Sequence, residues 1–183
     1  MSAAFVGLIA TIIGAIIGAF INEMYKRHRD ACATAAALAG ELASYRYAYR
    51  ALDVSFPILI ERVQAGQPLN IPAQDPPADV AFQAYVDKIG LLGPDLAEKT
   101  SFVYGQIRGF RSTFFSLTRA PAHTDSAYLE AALRVGHMFM TSAQQHSVPL
   151  IETLRQTART SFGSDLVARA KTIVSPARNR SPR

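Results

Sequence analysis

One cysteine and four histidines, in a chain of 183 residues, are the side chains that could both bind a metal through nitrogen or sulfur and transfer a proton near neutral pH. They are Cys32, His28, His123, His137 and His146. His28 and Cys32 are four positions apart, so a helix would place them on one face, as two metal ligands require. Two ligands do not complete a site, and a single cysteine cannot form an internal disulfide. The sequence therefore predicts neither a metal site nor a cofactor.

Residue arrangements typical of nucleophilic or phosphate chemistry are not recognisable in this sequence. It contains no Gly-x-Ser-x-Gly elbow and no glycine-rich loop between a strand and a helix. Carboxylate pairs, Asp95 with Glu98 and Asp75 with Asp79, stand at predicted helix starts, where they complement the helix dipole. We predict no catalytic residue. An enzyme with an unrecognised site near His137 or His146 stays open as an alternative.

Aromatic and basic side chains alternate in two stretches, a pattern that can stack on bases or bind a charged partner. One stretch contains Tyr45, Arg46, Tyr47, Tyr49 and Arg50, and the other contains Tyr104, Arg108, Phe110 and Arg111. On a helix, Tyr45 and Tyr49 share one face, whereas Arg46 and Arg50 share another. This spacing favours tyrosines in the core and arginines in solvent over a nucleic-acid-binding surface.

An uncharged apolar segment precedes all of these residues. Between Ala3 and Ile21 no side chain is charged, and Thr11 carries the one polar group. A helix of these 19 residues is about 28 Å long, close to the ~30 Å hydrocarbon thickness of a bilayer. Because a helix satisfies its own backbone hydrogen bonds in lipid, we predict a transmembrane helix over residues 3–21.

The residues after the apolar segment predict its orientation. Tyr25, Lys26, Arg27 and Arg29, in the basic juxtamembrane segment 22–30, suit the headgroup region of a bilayer. Because these cations follow the apolar segment and none precedes it, we expect the N-terminus outside and the C-terminal domain in the cytoplasm. The protein would be a single-pass protein of the inner or plasma membrane. A cleaved signal peptide is the alternative, but it would start with cations and have a shorter apolar core.

Small side chains lie along one face of the predicted transmembrane helix. They are Gly7, Ala10, Thr11, Gly14 and Gly18, and the last two form a GxxxG pair. Small residues let two helices approach closely in lipid, so this face predicts self-association. The competing interpretation is that glycine and alanine are simply frequent in membrane helices.

Helical periodicity continues beyond the apolar segment. Apolar residues recur every three or four positions from Ala31 onward, which predicts one continuous rod from the membrane to about Leu52. Ser55 and Pro57 resemble the start of a second helix. Pro149 predicts either a kink or a new helix starting at Ser147.

Proline and glycine clusters predict where the other helices end. They occur at residues 67–77, 90–94 and 119–125, with a further glycine at 163 and a last short helix expected at 165–174. No segment alternates in the way that a strand would. The predicted fold class is therefore all-α: one N-terminal transmembrane helix continuing into a cytoplasmic bundle of about five helices, which occupies residues 31–174.

The formal charge of +5 is confined to the C-terminal end of the chain. Residues 1–168 contain 14 cationic and 14 acidic side chains, so their charges cancel. The excess consists of Arg169, Lys171, Arg178, Arg180 and Arg183, and we predict that residues 175–183 form a disordered basic tail. Such a tail is most simply a solvated end, next a contact with anionic lipid, and last a nucleic-acid contact.

Together these patterns predict a non-catalytic, single-span membrane protein whose helical domain acts as an interaction or scaffold module. The expected partners are the lipid bilayer, further copies of the chain in a homo-oligomer, and a protein that the sequence does not identify. We expect no nucleic-acid partner. The alternative is an oligomeric membrane effector or pore assembled through the N-terminal helix, which would need several spans to line a hydrated path.

Overall fold

The structure is a computed structural model that describes residues 3–69, 71, 78–121, 124–164 and 167. Five helical segments follow one another in this part of the chain: α1 (Ala3–Gln64), α2 (Val80–Tyr85), a 3₁₀ helix (Val86–Leu92), α3 (Pro94–Thr118) and α4 (Ser126–Arg159). No strand occurs among the described residues. The predicted all-α class is confirmed. The expected last helix at 165–174 and the basic tail lie outside the described residues, except for position 167.

Helix α1 is a single helix of 62 residues, and it joins the apolar segment to the centre of the bundle without a break. The predicted second helix start at Ser55 and Pro57 is wrong, because α1 continues through both residues. Ser55 does not cap a helix; its hydroxyl donates to the carbonyl of Ala51 one turn earlier, at 2.9 Å. Pro57 is exposed, whereas Phe56 and Ile60 are buried, so core packing carries the helix past the proline.

The end of α1 agrees with the prediction from sequence. Gly66 has a φ of +69°, the left-handed conformation that a glycine adopts without strain after a helix. Its N–H donates to Val63 at 3.0 Å, and the N–H of Gln67 donates to Arg62 at 2.9 Å. These two bonds form a Schellman motif, which satisfies the last carbonyls of α1.

The short helical segment between α1 and α3 begins where the sequence predicts but changes type halfway. Asp79 precedes α2, and the chain tightens into a 3₁₀ helix from Val86. Gly93 has a φ of +87° and places Pro94 at the first position of α3. The predicted break and restart at these residues is confirmed.

Helix α4 starts where the sequence predicts, and it continues through the position at which a new helix was one of two predicted outcomes. The side chain of Asp125 accepts from the N–H of Ala127 at 3.1 Å and caps the helix. A new helix starting at Ser147 is wrong, because Ser147 is buried inside α4 and donates to the carbonyl of Gln144. Pro149 is exposed and accommodated within the helix.

The core forms where α3 and α4 pack against the second half of α1. Helices α1 and α4 run antiparallel, because Cys32 contacts the Thr157 carbonyl while Phe56 lies against Gly136. The completely buried large side chains come from all three helices: Leu38, Leu42, Phe56, Tyr104, Ile107, Leu133, Met140, Ile151 and Leu154. Among the described residues the five helical segments are thus three long helices and two short ones, and the breaks expected at Ser55–Pro57 and at Ser147 are absent.

Candidate functional site

The first candidate site is the apolar segment at the start of α1, which projects from the bundle. Its large side chains are all exposed: Phe5, Leu8, Ile9, Ile12, Ile13, Ile16, Ile17, Phe20 and Ile21. The helix is long and apolar enough to cross a membrane, and an N-terminal signal sequence would have the same properties. No described part of the bundle covers this surface.

The predicted association face lies on this open surface. A Cβ atom added at Gly7, Gly14 or Gly18 would meet nothing within 4 Å. The hydroxyl of Thr11 donates to the carbonyl of Gly7 at 2.9 Å, so its donor is already used within the helix. This face, which includes Ala10, is therefore sterically free for a second helix, and Thr11 places no unsatisfied donor on it.

The predicted interface anchors are partly engaged with other side chains. Arg27 forms an ion pair with Glu23 at 2.9 Å, and Tyr25 packs edge-on against Phe162 with ring centroids 5.4 Å apart. Arg29 lies 3.9 Å from Asp30, and Lys26 is exposed. The Tyr25 contact shows that the bundle begins about one helical turn after the end of the apolar segment.

His28 and Cys32 come together on one face of α1, as their spacing predicts. Their Nε2 and Sγ atoms are 3.5 Å apart, and His28 Nε2 is also 3.0 Å from the carbonyl oxygen of Thr160. The His28 ring lies against Phe162, with centroids 5.6 Å apart. Among the described residues, no group of three or more potential metal ligands occurs. The pair joins α1 to the end of α4.

A buried polar network that the sequence patterns do not predict connects α1, α2 and α3. Arg111 Nη1 donates to Asp79 Oδ1 at 2.6 Å, and the Tyr45 hydroxyl donates to the same oxygen at 3.2 Å. Arg108 lies 3.6 Å from the other Asp79 oxygen and over the Phe82 ring. Its position in the sequence predicts that Asp79 complements the dipole of α2, but the Asp79 side chain makes no capping hydrogen bond there.

Glu41 is the second carboxylate of this network. Its oxygens accept from the N–H groups of Ala81 and Phe82, at 2.9 and 3.1 Å, and from the Tyr104 hydroxyl at 2.7 Å. It therefore caps α2 from a neighbouring helix. The aromatic and charged residues of the second alternating stretch thus serve packing, and the carboxylates are occupied by donors of the protein itself.

Burial of this network perturbs its ionisable groups. Burial raises the pKa of Tyr45 to about 12, although the hydrogen bond with Arg111 acts in the opposite direction. Burial also raises the pKa of Tyr49 and of Tyr104, the latter with a further contribution from its bond to Glu41. Burial lowers the pKa of Arg111, but Tyr45 and Asp79 outweigh this effect and raise it overall. These phenols stay neutral in the folded protein at physiological pH.

The two described histidines of the alternative enzyme site have structural partners. His137 Nε2 is 3.1 Å from Asp53 Oδ1, and the ring stacks on Phe56 with centroids 5.6 Å apart. A ring nitrogen of His146 is 2.8 Å from the carbonyl of Ser142 one turn earlier. Among the described residues, no hydroxyl or thiol hydrogen-bonds to either ring.

A basic cleft lies between α1 and α4 on the side away from the polar network. It is lined by Ala43, Arg46, Tyr47 and Arg50 of α1 and by Arg155 of α4, and it encloses about 220 Å³. The predicted separation of faces holds for buried Tyr49 and exposed Arg50, whereas Tyr45 and Arg46 are both half-buried. The sequence did not reveal Arg155 as a third member, since it lies more than 100 positions away in the chain.

Comparison of the chain with protein-family models, with curated proteins and with solved structures found no match.

Proposed function

We propose that this protein is a non-catalytic, single-pass membrane protein whose helical bundle acts as an interaction module and whose chains self-associate. The observation that carries the proposal is the exposed apolar segment of α1. Burying one large apolar side chain contributes about 1.5–3 kcal/mol. The nine side chains from Phe5 to Ile21 are each about half exposed, so leaving them in water would together cost about 7–14 kcal/mol, and lipid removes that cost.

The continuity of α1 supports a retained anchor over a cleaved signal peptide. The same helix that carries the apolar segment continues into the core, where Ala35, Leu38 and Leu42 are buried. A signal peptide is removed from the mature protein, whereas here one uninterrupted helix contains both the apolar segment and buried core positions. The cations after the segment support a cytoplasmic bundle and an N-terminus on the opposite side of the inner or plasma membrane.

Membrane fractionation tests the anchor. We expect the chain to stay in the pellet after alkaline carbonate washing and to keep its full mass of 19.9 kDa. The double variant Ile13→Arg and Ile17→Arg should move it to the soluble fraction, since each central charge costs about 2.5–3.5 kcal/mol in lipid. The matched control, Ile13→Leu and Ile17→Leu, should stay in the pellet. A shortened mature chain would contradict the proposal.

The open glycine face supports self-association within the bilayer. Gly14→Ile and Gly18→Ile should each weaken the oligomer, because the larger side chain holds two helices apart. Ala15→Ile and Ala19→Ile are the controls. They introduce the same side chain one position later, which is about 100° further around the helix. We expect cross-linking of intact membranes to give fewer oligomers only with the glycine variants. Equal losses in both pairs would argue against this face.

The hydrogen bond of Thr11 within its own helix supports an interaction module over the alternative pore. Thr11 carries the one polar side chain of the segment, and its hydroxyl donates to the Gly7 carbonyl. A hydrated path would therefore have few polar groups along it. Native mass spectrometry of detergent-extracted protein should give a small oligomer, and a large closed ring would favour the pore.

A further inference from the structure

The basic cleft formed by Ala43, Arg46, Tyr47, Arg50 and Arg155 has the features of a ligand site that the proposed function does not use. Its α1 members follow one another at intervals of three, one and three positions, so they form a continuous stripe on one helix face. Helix α4 contributes Arg155 from the opposite wall. We infer that this cleft binds a small organic phosphate that carries a planar ring, of which a nucleotide is the simplest class.

The three guanidinium groups of the cleft differ from most other arginines of the protein. Carboxylate or aromatic partners occupy Arg27, Arg29, Arg108, Arg111, Arg119 and Arg134. Within the described part of the chain, Arg46, Arg50 and Arg155 have no ion pair, and no carboxylate lines the cleft. Because no carboxylate among the lining residues offsets these three positive charges, all three attract an anion that enters the cleft.

Phosphate is the anion that this arrangement suits best. A guanidinium presents a planar fork of donors that binds phosphate oxygens in pairs, and such charge-assisted bonds are about twice as strong as neutral ones. Three forks from two helices can surround a phosphate or a diphosphate. Arg46 is half-buried, which lowers the conformational entropy that it loses on binding.

Tyr47 supplies the second recognition element. Its side chain is 83% exposed, although it lies between two arginines on the same helix face. The enclosed volume of about 220 Å³ is below the ~300–1,000 Å³ of a cleft that encloses a whole drug-sized ligand. The cleft therefore holds the phosphate end, and the exposed phenol ring offers a surface on which the planar end of the ligand stacks.

In the proposed single-pass arrangement, the position of the cleft argues against lipid headgroups as its source of phosphate. Arg46 lies 25 residues after Ile21, which is about 37 Å along α1. That distance is several times the ~8 Å over which charges act at physiological ionic strength. The cleft also spans only a few side chains, whereas a protein that binds single-stranded nucleic acid needs a longer basic groove.

Binding of ADP to the full-length protein in neutral detergent tests the inference, with pyrophosphate and adenosine as part-ligands. We expect ADP to bind more tightly than either part-ligand in calorimetric titration. Arg46→Gln and Arg50→Gln should each weaken binding of both ADP and pyrophosphate by about 10-fold or more. Tyr47→Leu should weaken ADP by about 5-fold or more and leave pyrophosphate unchanged. Arg62→Gln, an exposed α1 arginine outside the cleft, is the control and should bind like the unchanged protein.

Several results would overturn the inference. No heat of binding for ADP or pyrophosphate up to about 5 mM would remove the site. Equal losses in Arg62→Gln and Arg46→Gln would show a diffuse charge effect. Single-stranded RNA that binds far more tightly than ADP, with a steep salt dependence, would assign the arginines to nucleic acid instead. Far-UV circular dichroism identical to that of the unchanged protein shows that a variant is folded.

Discussion

The guanidinium of Arg111 and the carboxylate of Asp79 are 2.6 Å apart in the interior of the bundle, where the Asp79 side chain is 4% exposed. This contact links α3 to the residue that starts α2. The pair is also joined by the hydroxyl of Tyr45 from α1. Three elements of the fold, α1, α2 and α3, thus meet at one charge pair. This pair holds α2 in position against the two long helices.

Asp79→Asn should destabilise the bundle strongly. The change leaves the Arg111 charge largely buried without its counter-ion, which costs about 2–4 kcal/mol here, somewhat less than for a fully buried pair. Arg111 keeps 15% exposure, and this limits the loss. Thermal unfolding followed by circular dichroism measures the effect. Asp87→Asn changes an exposed carboxylate in the adjoining 3₁₀ helix and should stay within about 0.5 kcal/mol of the unchanged protein.

Glu41→Ala should loosen the start of α2. The carboxylate accepts two backbone N–H groups and the Tyr104 hydroxyl, so its removal leaves three donors without their partner. We expect a loss of about 2–3 kcal/mol and faster hydrogen exchange at Ala81 and Phe82. Glu61→Ala, at an exposed site on the same helix, is the control. Unchanged exchange at the two amides would contradict the role of Glu41 as a cap.

Two glycines of α3 should respond differently to the same substitution. Gly105 is exposed and a Cβ there meets nothing within 4 Å, so Gly105→Ala should stabilise the helix by about 0.5–1 kcal/mol. At Gly109 the added Cβ would lie 3.0 Å from the Phe139 ring, which must move away. Gly109→Ala should therefore lose this gain or destabilise the protein. Thermal unfolding measures both effects. Equal stabilisation in the two variants would contradict the prediction, because it would mean that the Phe139 ring moves aside at no cost in free energy.

Replacing each of two buried tyrosines by phenylalanine should change the stability of the protein differently. The Tyr104 hydroxyl is bonded to Glu41, whereas the buried Tyr49 hydroxyl has no hydrogen-bond partner among the described residues. Tyr104→Phe should cost about 1 kcal/mol, because it leaves an acceptor unmatched. Tyr49→Phe should be neutral or stabilise the protein by up to about 1 kcal/mol, because it removes an unpaired polar group. The denaturant midpoint should therefore fall for Tyr104→Phe, and it should stay unchanged or rise for Tyr49→Phe.

Stability should fall at alkaline pH. Burial raises the pKa of Tyr45, Tyr49 and Tyr104 in the folded state, so the folded protein holds protons that the unfolded chain releases near pH ~10. The stability from each neutral phenol is fully present below about pH 10 and declines above it, by at most ~1.4 kcal/mol per pH unit. The loss for Tyr45 is smaller, because it is half-exposed.

Thermal unfolding between about pH 8 and pH 11.5 checks this dependence. Tyr104→Phe should start lower and then lose stability less steeply than the unchanged protein, because one of the three phenols no longer titrates. Tyr47→Phe, which alters an exposed ring, should follow the slope of the unchanged protein. Parallel slopes for all three proteins would contradict a contribution of Tyr104.

The sequence by itself determined the features that depend on local spacing. The run from Ala3 to Ile21 has the length and apolar character of a membrane span, and glycines and prolines mark the ends near Gly66 and Gly93. These patterns act over a few residues, so one chain segment contains all the information. The all-α class follows from them, and so does the burial of Tyr49 beside exposed Arg50.

Tertiary structure decided the features that depend on competition between distant residues. Pro57 and Pro149 looked like breaks, yet packing of Phe56 and Leu150 outweighs the local cost of a proline in a helix. In the sequence Asp79 is an ordinary carboxylate at the start of a helix, and only the packing of α3 places Arg111 beside it. Arg155 became part of a basic cleft because α4 returns antiparallel to α1. No local pattern encodes such pairings, since the partners are far apart in the chain and meet when the core forms.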